Sequence, residues 1–147
     1  MPRTPLKRHP QLIPISRGHH HGLVLAQLLS ADVPDYKGLP NTLQGKAVFA
    51  RQTAERHLFP GFEWIEKVLV PALPEGIERE QVIREQKELS EQLANLPECP
   101  SEASLNELGE ALKRHIRYKE RSWFMAVQAR LGEDGLRALP SFRSAEG

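Results

Sequence analysis

Apolar residues recur along this chain at helical rather than strand spacing, in four stretches separated by breaks marked by proline and glycine. The first covers about residues 16–30, with Ser16 read as an N-cap after Pro14 and Asp32 to Pro34 closing it. The second opens near Thr42 and continues towards Leu69. Its stripe is Ala47, Ala50, Ala54, His57/Leu58, Gly61, Ile65 and Val68/Leu69. Pro60-Gly61 predicts a kink or an end near Phe59, because proline lacks the donor and crowds the carbonyl of Arg56. The third stretch fits 75–96, where Val82, Gln86, Leu89, Leu93 and Leu96 form a seam with one polar member. Pro97 and Pro100 end it. Ser104-Leu105-Asn106-Glu107 reads as a capping box for the fourth. That helix turns Leu105, Leu108, Leu112, His115/Ile116, Lys119, Trp123 and Val127 inward and stops at Gly132.

Long helices with short connections predict an all-α protein, an antiparallel up-down four-helix bundle with a short C-terminal helical turn within 133–139. The expected division is an extended N-terminal segment over 1–14, the bundle over 15–139 and a flexible tail over 140–147. At 147 residues the chain is long enough to bury a core without disulfides. Charge is nearly balanced, with 20 Lys and Arg against 19 Asp and Glu, which argues against nucleic acid or an acidic membrane surface as partner. The cluster Lys113, Arg114, Arg117 and Arg121 around Tyr118 reads as a solvated face, with Glu110 and Glu120 at pairing distance. No apolar run approaches a membrane span, and the first fifteen residues lack the apolar stretch of a secretory signal. The expected location is therefore cytoplasmic. Cys99, alone between two prolines, reads as an inert surface thiol. No Gly-rich phosphate loop or nucleophile–base spacing is present, so the chain is not expected to be an enzyme.

The chemistry lies in polar residues on otherwise apolar stripes. Six histidines are present, three of them consecutive at 19–21. Successive residues on a helix differ by about 100°, so at most one or two of that run can face inward. His115 sits at the seam of the fourth helix, Lys119 one turn beyond it, and Gln86 on the third. Histidines on facing helices can build a transition-metal site. A buried histidine is also commonly a hydrogen-bonded core residue, and a seam glutamine commonly sets register.

Four blocks carry a likeness. They are Ile15-Ser16-Arg17-Gly18-His19-His20 with Leu23-Val24-Leu25-Ala26; Pro60-Gly61-Phe62-Glu63 followed by Glu66-Lys67-Val68-Leu69-Val70-Pro71; Glu85-Gln86-Lys87-Glu88-Leu89; and His115-Ile116-Arg117-Tyr118-Lys119-Glu120-Arg121 followed by Phe124. Over residues 14–139 the chain resembles the hemerythrin-like, HHE cation-binding domain proteins. The resemblance implies a four-helix bundle with a carboxylate-bridged di-iron centre for oxygen, nitric oxide or iron handling. It also implies where the ligands should stand. The first-helix ligand is available as His19 or His20, and the fourth-helix one as His115. The second-helix His and Glu fall on Gly61 and Ile65, the third-helix His on Gln86, and the fourth-helix Glu on Lys119.

Both bridging carboxylates are thus missing, and Lys119 would bring a cation into the cavity. At an effective dielectric of 20, two unit charges ~4 Å apart interact by about 4 kcal/mol. A full di-iron centre is not expected. What remains is a mononuclear site, holding one iron or zinc ion between His19 or His20, His57 and His115, with a carboxylate from Glu63 or Glu66. Glu66 and Glu120 each stand one residue off the lost positions, a rotation of about 100°. Two readings follow. One is a reduced metal-binding or sensing bundle whose partners are the metal ion and a small diatomic ligand. The other is a metal-free scaffold in which Lys119 pairs with Glu85, Glu66 or Gln86. Trp64 and Trp123 are the residues available to a homodimer interface.

Overall fold

The computed structural model describes residues 8–30 and 38–142. These form four helices: α1 (Ile13–Leu29), α2 (43–72), α3 (Ile77–Ala94) and α4 (102–137). No strand occurs among the described residues. Helix α1 starts three residues before the expected cap, with Pro14 in its first turn, where proline's missing donor costs nothing. Thr42 caps α2 by accepting from the Gly45 amide at 3.0 Å. Helix α4 begins at Glu102 rather than after Ser104. Ser101 caps it, accepting from the Ser104 amide at 3.0 Å.

The helix does not end at Pro60, one of the two outcomes expected there. Just before it, Ala54–Leu58 forms a π turn in which the Phe59 amide bonds the Ala54 carbonyl. The wider turn gives the pyrrolidine ring room against the Arg56 carbonyl, and the helix runs on. A second π turn, Ile65–Leu69, precedes Pro71 in the same way, with Val70 bonding Ile65. The third, Lys119–Trp123, has no proline after it and opens at a buried lysine. Gly132, at φ 66°, interrupts α4 and sets off the expected last turn.

Two apolar clusters fill the interior. One gathers Leu25, Ala54, Leu58, Phe62, Leu89, Leu93, Leu112 and Ile116, among others. The second includes Ile15, Ile65, Leu69, Val82, Trp123 and Phe124. Each helix passes from one cluster to the other, and His19, Gln86 and Lys119 fall between them on α1, α3 and α4. Glycine allows the tightest approach: a Cβ on Gly109 would lie 2.8 Å from the Ala26 carbonyl oxygen. Pairings between α1 and α4 run Ser16 and His19 with Glu120, Gly22 with Ile116, and Ala26 with Gly109.

The described residues before α1, 8–12, pack on the bundle. Leu12 is fully buried, the His9 amide donates to Gln128 Oε1 at 2.9 Å, and Gln11 Nε2 donates to the Leu136 and Leu139 carbonyls. Pro140 and Phe142 contact Trp64. The rest of both expected terminal segments, residues 1–7 and 143–147, and the Asp32–Pro34 stop lie outside the described residues. Trp64 and Trp123 are both buried in the second cluster, which removes them as an exposed dimer surface.

Candidate functional site

Four polar side chains that helical spacing turns inward meet in the layer between the apolar clusters: His19, Gln86, His115 and Lys119 are all buried. Lys119 is 0% exposed. Its Nζ donates to Gln86 Oε1 at 3.3 Å and stands 4.5 Å from the centroid of the Phe62 ring. Gln86 Nε2 in turn donates to the Phe62 carbonyl at 3.3 Å and to Glu66 Oε1 at 3.2 Å. Burial pushes the Lys119 ammonium down to about 7, against the charges of Glu120, Glu85 and Glu66, which hold it up.

The two imidazoles are built alike. His19 Nδ1 lies 2.6 Å from Glu120 Oε1 and His115 Nδ1 lies 2.8 Å from Glu85 Oε1. Burial and then the Lys119 charge lower both, His19 to about 4. Both rings are therefore neutral at neutral pH, and each carboxylate accepts a proton carried on Nδ1. The His19–Glu120 contact is then a charge-assisted hydrogen bond rather than an ion pair. Burial raises the Glu120 carboxyl, but hydrogen bonds from His19 and Ser16 and the charge of Arg8 outweigh it and hold it low. Arg8 reaches Glu120 Oε2 at 3.0 Å and its carbonyl at 2.7 Å. His115 Nε2 is buried with no hydrogen-bond partner among the described residues. The layer reaches the surface at its carboxylates. Glu85 lines a groove of about 430 Å³ between α3 and α4, and Glu66 one of about 230 Å³ between α2 and α3.

The expected mononuclear set does not come together. His20 is exposed, and His57 turns away to stack on His21 with centroids 3.6 Å apart. Glu63 pairs on the surface with Lys67 at 2.6 Å. Glu66 bonds Gln86, and only His19 and His115 stand in the layer. Among the described residues no group of three or more His, Cys, Asp or Glu side chains is placed to hold a metal ion. Gly61 and Ile65 are buried, as their stripe predicts, and neither offers a ligand. With Lys119 fully buried among them, the residues present do not fit a di-iron centre.

Glu120 overturns the expectation that a one-residue offset removes it. It stands four residues after Ile116, on the face of α4 that meets α1, and its side chain reaches His19 at 2.6 Å. Of Glu85, Glu66 and Gln86, the alternatives for Lys119, Gln86 takes its hydrogen bond, and Glu85 binds His115. Arg8, from the leading segment, has no signal in the helical stripes. The basic cluster on α4 behaves as a solvated face, with Lys113 3.7 Å from Glu110. No described helix is long and apolar enough to cross a membrane. Comparison with family models, curated proteins and solved structures finds no match to this chain.

Proposed function

We propose that the chain is a hemerythrin-like bundle of antiparallel up-down helices that works without metal, as a cytoplasmic scaffold for interaction. Its polar layer fills the place where that family holds iron. The opposed pairings of α1 with α4 support the topology, since His19 meets Glu120 while Ala26 meets Gly109. The observation that carries the reading is Lys119, fully buried and hydrogen-bonded to Gln86 at the family's carboxylate position. An ammonium there supplies positive charge to the surrounding Glu66, Glu85 and Glu120, which a metal would otherwise do. Cys99, with no second cysteine in the chain, suits a reducing compartment.

Protein purified without chelator or immobilised metal should contain close to no iron. Ferrous iron or zinc should leave the Tm and the ring resonances of His19 and His115 unchanged, because specific binding must stabilise the folded state. Stoichiometric iron, with a rise in Tm, contradicts the reading.

A second reading, a reduced site for one metal ion and a diatomic ligand, is favoured by His115. Its Nδ1 is anchored on Glu85 while its buried Nε2 has no partner among the described residues. That is how carboxylates orient ligating imidazoles. It requires Lys119→Met, which removes the competing cation, to gain iron affinity; on the first reading the variant gains none.

A further inference from the structure

The sequence sets Glu110 and Glu120 at helical pairing distance from the basic cluster of α4, but the structure engages both elsewhere. Glu110 lies 3.7 Å from Lys113, and Glu120 is taken by Arg8 at 3.0 Å and His19 at 2.6 Å. Arg114, Arg117 and Arg121 are left exposed, with no ion-pair partner among the described residues. Helical neighbours do pair elsewhere, Glu63 with Lys67 at 2.6 Å and Glu133 with Arg137 at 3.0 Å. The three arginines thus form a ridge of uncompensated charge on a chain whose formal net charge is only +1.

A second, independent observation is the groove of about 430 Å³ between α3 and α4 that this ridge borders. Arg114 and Tyr118 line it from α4 and Arg84 from α3, and Leu89 and Ala111 give it apolar surface. Glu85 lines it too, but its oxygens are occupied, by His115 Nδ1 at 2.8 Å and Gln81 Nε2 at 2.9 Å. Arg84 and Glu88 are spaced four apart with the arginine first, the weaker order for a helical pair, and form no ion pair. Tyrosine and arginine around an apolar patch are the side chains that protein interfaces favour. At ~30 Å³ per water, the groove has room for a large apolar side chain and its backbone.

We infer that ridge and groove together are the scaffold's docking surface for an acidic peptide segment. One apolar side chain of that segment seats on Leu89 and Ala111, and its carboxylates lie along Arg114 and Arg117. A nucleic acid suits the surface less, because it brings charge at every phosphate and Glu85 and Glu88 stand in the groove. A peptide can keep its acids on the α4 side alone. The inference rests on the scaffold reading, yet the two fail separately: stoichiometric iron contradicts that reading, whereas an iron-free bundle that ignores acidic peptides contradicts only the surface.

The test is fluorescence anisotropy of the labelled peptide Glu-Glu-Leu-Glu-Glu-Leu-Glu-Glu with the folded full chain. Binding should saturate with a Kd of roughly 10–100 μM at low salt. Replacing both leucines of the peptide by serine should weaken it about tenfold, which reads the groove with the chain unaltered. Arg114→Glu with Arg117→Glu should weaken it by about tenfold or more, whereas Arg56→Glu, at an exposed arginine of α2, should change it less than about twofold. Four results would overturn the surface: no saturation by about 1 mM peptide, equal affinity for the serine peptide, an equal loss in Arg56→Glu, or tighter binding of a single-stranded RNA of the same length.

Discussion

Where α1 and α4 cross at Gly109, the two backbones are so near that an added Cβ would sit 2.8 Å from the Ala26 carbonyl oxygen. Further along the same pair of helices, contact passes instead through side chains, His19 to Glu120 at 2.6 Å, with Lys119 buried beside them. The first region is held by close packing of backbone against backbone. The second is held by directed hydrogen bonds and carries the desolvation cost of an amine and two imidazoles. The apolar crossing should therefore answer to volume and ignore pH, and the polar layer should do the reverse.

The largest effect that separates them is alkaline. Lys119 titrates near 7 in the folded chain against 10.5 when exposed, so between those values the unfolded chain binds more protons. Stability should climb as pH rises from about 7 to 10.5, by up to ~5 kcal/mol. Lys119→Met should abolish that climb in urea melts, whereas an unchanged slope would mean that Lys119 is solvated. On the acid side His19 gives the same sign. Its folded value of about 4 lies below the ordinary 6.5, so its contribution is complete above 6.5 and is lost as pH falls towards 4. The loss should reach ~3 kcal/mol and shrink in His19→Gln.

In the apolar region, Gly109→Ala should cost about 2 kcal/mol at every pH, because its Cβ meets backbone. Gly22→Ala should cost less, since there the Cβ meets the flexible ends of Ile116 and Leu58. A pH-dependent penalty at Gly109 would break the contrast. The smallest effect is local to neither region. Ser101→Ala should remove the α4 cap and about 1 kcal/mol, seen as a uniform drop in Tm.

Much of this contrast is visible in the residue pattern. Gln86, His115 and Lys119 interrupt apolar stripes at helical spacing, and at most one or two of three consecutive histidines can face inward. Of the three partners the sequence offers a buried Lys119, Glu85, Glu66 or Gln86, the structure hydrogen-bonds it to Gln86 at 3.3 Å. What spacing misses is phase and reach. A fixed 100° per residue sets Glu120 off the Lys119 position, but it lies one turn after Ile116 on the face that α1 covers, and its side chain reaches His19. A π turn carries α2 through Pro60, where proline rules predict a kink or an end. His57 follows the stripe as far as the helix surface and then stacks on His21, a contact that depends on how two helices face each other. Burial of Trp64 and Trp123 likewise depends on segments distant in sequence, with Pro140 capping one indole.

On the proposed reading an amine stands in the middle of this bundle where a metal would otherwise be, and the Lys119 side chain reports on it directly. Its Cε and Nζ resonances, followed by NMR from pH 5 to 11 in the folded protein, should titrate with a midpoint about 7, displaced by burial. A midpoint at the ordinary 10.5 would place the ammonium in water and contradict the account.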